Sequence, residues 1–190
     1  LLQSEFDTTE KLLNRHPSQT KYEKLVDREF TIAKEYYDGR RDPAFWSLRW
    51  VPWLKGPDKT VEMLEKALKR APFSKQAPGA RLRLAFKLND EGKVKEAVEQ
   101  LRILVRDYPN SPERKYAYLA LGGMLFHLSQ TGDGDGRYNR EAISVLQEYQ
   151  TLYPKSTEQE FVDKTLLQAK DVQAERLLGL AGYYKRTGRT

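Results

Sequence analysis

Groups able to move protons, hold metals or attack a substrate are few among these 190 residues. The two histidines, His16 and His127, are the only side chains whose ordinary titration falls near neutral pH. His16 stands beside the helix-ending Pro17, whereas His127 lies deep in a later helical pattern, too far along the chain to work with it as an acid–base pair. Cysteine is absent, which removes disulfides and thiolate metal sites. The 27 acidic residues are interleaved with 33 Lys and Arg, with no Gly-rich phosphate loop and no nucleophile set beside a base. Residues 131–137, with Asp133 and Asp135 between glycines, look superficially like a calcium loop. Starting the EF-hand pattern at Asp133 puts Tyr138 where Gly is required and Ser144 where the bidentate Glu is required, so a glycine-rich connection is expected instead. No catalytic residue, no metal site and no cofactor is expected, and the chain is not expected to be an enzyme.

Binding is a different matter, because aromatic and apolar residues recur at helical spacing. Three stretches align as the first helices of helical hairpins. Their alignment puts Phe30, Lys34 and Tyr37, then Leu82, Phe86 and Asn89, then Tyr116, Leu119, Phe126 and His127 on the side that would line a groove. Each of these residues has packing as its other reading.

The elements that must position them are clearest at residues 75–112. Leu82, Leu84, Ala85, Phe86 and Leu88 form one apolar band, and Val94, Ala97, Val98, Leu101, Leu104 and Val105 form a second. Gly92 suits the positive φ at the end of the first helix, and Pro109 cannot continue the second. A hairpin this short needs stacked neighbours to bury its faces. With Pro109 as the closing proline of a tetratricopeptide repeat of about 34 residues, the small-residue positions fall on Ala85 and Ala97 and the apolar ones on Leu84, Leu88, Leu101 and Leu104. Arg81, at the first aromatic position, is the misfit. Pro154 closes a later repeat, with Ala142 on the close-packing position and Tyr118, Leu121, Gly122 and Leu125 on its first helix. Pro72 closes an earlier one, with Ile32, Ala33, Tyr36, Leu64 and Ala67. The fold class expected is all-α, a tetratricopeptide-repeat α-α superhelix or solenoid, truncated at both ends. One domain is expected: 1–17 as the second helix of a partial repeat, 20–74 as a repeat with an insertion at 40–54, 75–112 as a complete repeat, 113–157 as a repeat with a Gly/Asp insertion at 131–138, and 158–190 as one long helix, or two nearly coaxial ones, starting a further repeat. Asp58 and Asn139 are candidate N-caps of the helices that follow them. A Lys/Asn clamp for a peptide carboxylate would need Lys where Phe30, Leu82 and Leu119 stand, so an apolar, aromatic-ended peptide is the better ligand.

The insertion at 40–54 holds Phe45, Trp46, Trp50 and Trp53, including all three tryptophans. It reads either as a plug for the open end of the core or as an exposed patch that docks a partner or a membrane surface. Mean hydropathy of −0.76 with 32% charged residues describes a charge-coated helical protein, and no run of apolar residues is long enough to span a bilayer. The net charge of +6 is spread among acidic neighbours, so nucleic acid is not an expected partner.

At the C-terminal end, Tyr153-Pro154-Lys155-Ser156-Thr157, Ala169-Lys170-Asp171, Ala174-Glu175, Leu178-Gly179-Leu180-Ala181 and Tyr183-Tyr184-Lys185-Arg186-Thr187-Gly188 resemble the BamD family. These are tetratricopeptide lipoproteins of the bacterial outer-membrane β-barrel assembly machinery. The Tyr108-Pro109-Asn110-Ser111 closure is similar to another of that family's repeat ends. The similarity extends from Pro72 to Thr190 and is poor before it. The resemblance implies a lipoprotein on the periplasmic face of the outer membrane, anchored through a lipid outside this chain. It would grip the periplasmic domains of a barrel insertase through its last repeats and receive unfolded barrel precursors in its first ones. It makes Tyr183, Tyr184, Lys185 and Arg186 a candidate edge of the partner surface.

Overall fold

The computed structural model describes residues 1–15, 21–40, 42, 58–132 and 136–188. Among the described residues the chain forms eight α-helices and no strand. They are α1 (Leu2–Arg15), α2 (Tyr22–Tyr37), α3 (Thr60–Arg70), α4 (Ala77–Asp90), α5 (Val94–Asp107), α6 (Glu113–Gln130), α7 (Arg137–Leu152) and α8 (Gln159–Thr187). They make two compact units, Leu1–Gln100 and Leu101–Thr190, divided within α5. The aromatic insertion, with Phe45, Trp46, Trp50 and Trp53, lies outside the described residues, as do His16 and Asp133 to Asp135.

In the first unit α1 packs on α2, α2 on α3, and α4 on both α2 and α3. The 3.6-residue period accounts for the buried stripes: Phe6 and Leu13 of α1; Val26, Phe30, Ala33 and Tyr36 of α2; Met63, Leu64 and Ala67 of α3; Leu84, Ala85 and Leu88 of α4. Arg81, the residue that departs from the repeat pattern, donates from Nη1 to Gln100 Oε1 at 2.6 Å and so links α4 to α5 by a hydrogen bond instead of an aromatic contact. The α1 N-terminus is held by Asp42, whose carboxylate accepts the Leu2 and Gln3 amides at 2.9 and 2.7 Å. An anion there satisfies two of the orphan donors of the first turn.

In the second unit α7 packs against both α6 and α8, and α6 touches α8. Its core cluster is Tyr118, Leu146, Tyr149, Val162 and Leu166. Gly122 brings α6 and α7 close together, since a Cβ built there would lie 2.4 Å from Leu146 Cδ2.

The closing turns repeat one local solution. In Pro72-Phe73-Ser74, Pro109-Asn110-Ser111 and Pro154-Lys155-Ser156 the serine amide donates back to the carbonyl of Ala71, Tyr108 and Tyr153, at 3.2, 3.1 and 3.1 Å. The serine carbonyl then accepts from Ala77, Arg114 and Gln159, which starts the next helix. The hydroxyls of Ser74 and Ser156 each accept an amide two residues on, at 3.3 and 3.2 Å. Proline ends one helix because it has no N–H to give, and the serine two residues later begins the next because its hydroxyl satisfies a free amide. Between α4 and α5 the turn is different. Gly92, at φ +77°, lets Lys93 N–H reach Leu88 O at 2.8 Å and Gly92 N–H reach Asn89 O at 2.9 Å.

Two expected caps differ in detail. The helix after Asp58 starts at Thr60, and the Asp58 carboxylate accepts both the amide and the hydroxyl of Thr60, at 2.9 and 2.6 Å. Asn139 does not cap α7. It lies inside the first turn, buried, and its Nδ2 donates 2.8 Å to the Ala169 carbonyl of α8. Gly136, in the left-handed region, takes the terminal position instead.

Candidate functional site: the free half of the last helix

The stretch 158–190, expected as one helix or two, holds a single helix, Gln159–Thr187, of 29 residues. Its first half is anchored by Val162, Thr165, Leu166 and Ala169 at the 3–4 residue spacing that faces α6 and α7. The anchoring ends at Arg176, whose guanidinium lies against Gly136, so that a Cβ there would sit 2.6 Å from Nη1. Beyond it Leu177, Leu178, Leu180, Tyr183 and Tyr184 are exposed, Leu178 to 73%. Tyr183 and Tyr184 pack edge to face with ring centroids 5.7 Å apart. Lys185 and Arg186 follow in the last turn, where a helix C-terminus favours cations. The predicted partner-surface residues Tyr183, Tyr184, Lys185 and Arg186 are all exposed.

The start of α8 is held by a polar network at the Tyr153–Ser156 closure. Tyr149 Oη and Ser156 Oγ are 2.5 Å apart, Ser156 bonds Glu158, and Lys115 Nζ lies 2.7 Å from Glu158 Oε2. The hydrogen bond from Lys115, and then that of Ser156, holds the Glu158 carboxyl down at about 2. A depressed carboxylate contributes stability above its unfolded value near 4.5 that is lost as pH falls toward 2. Ser156→Ala removes the hydroxyl shared by Tyr149, Glu158 and the Glu158 amide. It is expected to cost the second unit about 1 kcal/mol in urea unfolding at pH 7.

The predicted groove residues divide. In the first unit Phe30 is 2% exposed and belongs to the core stripe with Val26 and Ala33, so it presents no surface for a ligand. Lys34 is exposed and pairs with Asp38 at 2.5 Å. Tyr37, Leu82, Phe86 and Asn89 are half-buried. In the second unit Phe126 is buried and Leu119 packs on the Tyr118 cluster, because both fall on the face of α6 that meets the core. Tyr116 and His127 are exposed, and Lys115 Nζ lies 5.9 Å from the Tyr116 ring centroid.

Pattern reading missed Glu29, a carboxylate only 1% exposed in the first unit. Its spacing was the available signal, since it lies on the helical stripe of Val26, Ala33 and Tyr36.

A family model described as YfiO, outer membrane lipoprotein, matches residues 57–190. The chain belongs to this family. The match takes in α8 and the BamD-like Tyr-Pro-x-Ser and Tyr-Tyr-Lys-Arg stretches, so the YfiO relationship and the motif resemblance agree. Among solved structures, the chain is similar to a crystal structure of nearly identical TPR-like repeats from a candidate kinesin light chain of Podosopora anserina. The TM-score is 0.51 at 16% identity, covering 100% of this chain and 89% of that one. That likeness carries the fold alone: an all-α tetratricopeptide-type repeat protein. A comparison with curated proteins finds no match. Family and fold are both of the protein-interaction scaffold kind, and YfiO proteins are outer membrane lipoproteins. No helix among the described residues is long and apolar enough to cross a membrane.

Proposed function

We propose that this chain is a scaffold of outer-membrane protein assembly, on the periplasmic face of that membrane, which holds the periplasmic domains of a barrel insertase through the free half of α8. What supports this reading is the match of the outer membrane lipoprotein family over residues 57–190, which takes in the Tyr183-Tyr184-Lys185-Arg186 end of α8. Exposed tyrosines beside an Arg are residue types enriched at protein interfaces. Unfolded barrel precursors are the second partner, taken up by the earlier helices, and membrane attachment comes from a lipid outside this chain. In pull-downs from membrane extract with the full-length lipoprotein as bait, Leu178→Asp/Tyr184→Asp is expected to lower insertase recovery at least tenfold, with helical content by circular dichroism unchanged. Equal recovery by the double variant would remove α8 from the interface.

A second reading, an adaptor for an apolar or aromatic peptide, is supported by a cavity of about 550 Å³ in the first unit. Tyr22, Val26, Pro72 and Phe73 form its apolar lining, and Phe73 is 94% exposed. Retained peptide binding by the α8 double variant, together with loss of binding in Phe73→Ser, would favour it.

A further inference from the structure

Three helices of the first unit meet at a charge cluster that the scaffold role does not use. Glu29 of α2 sits at its centre. Its Oε2 accepts a hydrogen bond from Arg70 Nε at 3.1 Å, while Oε1, also buried, has no hydrogen-bond partner. Arg70 of α3 is divided among several acceptors: Nη1 donates to Asn14 Oδ1 of α1 at 2.8 Å, and Nη2 lies 3.5 Å from Glu10 Oε1 of α1. Lys66 of α3 lies 3.3 Å from Glu10 and 3.1 Å from Glu62. The cluster thus holds two cations for three carboxylates, one of them wholly buried. Ionised, Glu29 shares the Arg70 guanidinium with Glu10, each on its own nitrogen, and repels Glu10 across the α1–α2 contact. Neutral, it leaves Arg70 to Glu10 and Asn14, the two groups through which α3 grips α1.

We propose that Glu29 is a proton-operated latch on α1: taking up a proton seats α1 more firmly on α2 and α3, and losing it loosens that seat. The proton adds to a carboxylate oxygen of Glu29 from solvent and leaves the same way, with no other bond made or broken. Burial, first, and then the charge of Glu10 raise the Glu29 carboxyl, against Arg70 and Lys66, which lower it; the balance stands at about 7. None of the groups that bear on it most comes from α4, the other helix packed on α2. Because the folded value lies above the unfolded one near 4.5, the folded state holds the proton that the unfolded state has released. Stability therefore falls as pH rises from about 4.5 to about 7 and is level above that.

The test is native-state hydrogen exchange in the full-length protein at pH 5 and pH 8, with Glu29→Gln as the comparison that separates Glu29 from every other titrating group. Protection factors of α1 amides, corrected for intrinsic exchange, are expected to fall on the order of 50-fold between pH 5 and pH 8. Those of α7 serve as the reference. Glu29→Gln, a neutral stand-in of the same shape, is expected to hold α1 at its acid-side protection at both pH values. A Glu29→Gln variant that keeps the full pH dependence overturns the latch. Should that variant not fold, the carbon-13 titration of the Glu29 carboxyl in the parent decides: a midpoint near 7 upholds the latch, and one below 5 overturns it.

Discussion

Arg70→Met is expected to destabilise the first unit by about 2 kcal/mol at pH 8 and by about 1 kcal/mol at pH 5. At the higher pH Glu29, 1% exposed, has given up its proton in the parent, and without Arg70 it must either stay as a buried carboxylate with no donor or take the proton back. An uncompensated buried charge is among the most costly consequences of a single substitution. At pH 5 Glu29 is already protonated, and the loss reduces to the Arg70 hydrogen bond to Asn14 and its longer contact with Glu10. Met keeps most of the apolar stem of Arg70, so packing changes little. Urea unfolding at the two pH values reads the difference directly. Equal costs at both would mean that Glu29 does not titrate between them, and Glu29→Gln combined with Arg70→Met should recover most of the loss at pH 8.

Gly122→Val is expected to cost the second unit about 3 kcal/mol, the upper part of the range for overpacking a well-filled core. A β-carbon at that position meets Leu146 Cδ2 at 2.4 Å and Cγ at 2.6 Å. Leu146 is fully buried within the Tyr118–Tyr149 cluster. Helix propensity argues the other way, because glycine inside a helix costs up to about 1 kcal/mol relative to alanine. The steric term is larger, so even Gly122→Ala should be net destabilising. A double-mutant cycle with Leu146→Ala isolates the contact: truncating Leu146 should cost about 3 kcal/mol in the parent and much less in the Gly122→Val background, where the added methyl groups fill the space that Leu146 leaves. A neutral Gly122→Val would mean that α6 and α7 separate freely.

Between them the two substitutions mark how far pattern reading extends. Gly122 was visible as the small residue on the first helix of its repeat, in the register that places Ala85 one repeat earlier. What it touches was not visible, since Leu146 comes from the following helix. Glu29 could be seen on the apolar stripe of α2, yet its partner Arg70 is 41 residues away and itself falls on the stripe of Met63 and Ala67. Phe30 and Phe126 looked suited to a groove by type and alignment, and both are buried.

The helices, their ends and the closing turns were determined by the sequence alone, because each depends on groups a few residues apart. A proline without an N–H, a glycine at positive φ and a serine hydroxyl two residues from a free amide act within a single turn of chain. The repeat kind and the family followed from the same local marks, above all Tyr153-Pro154-Lys155-Ser156 and Tyr183-Tyr184-Lys185-Arg186. Only the tertiary structure decided which apolar residues are covered, where α8 leaves the core at Arg176, and that a carboxylate sits buried beside a divided arginine. Burial and proton affinity are set by neighbours distant in the chain, and a helical period gives the direction of a side chain without saying what stands opposite it.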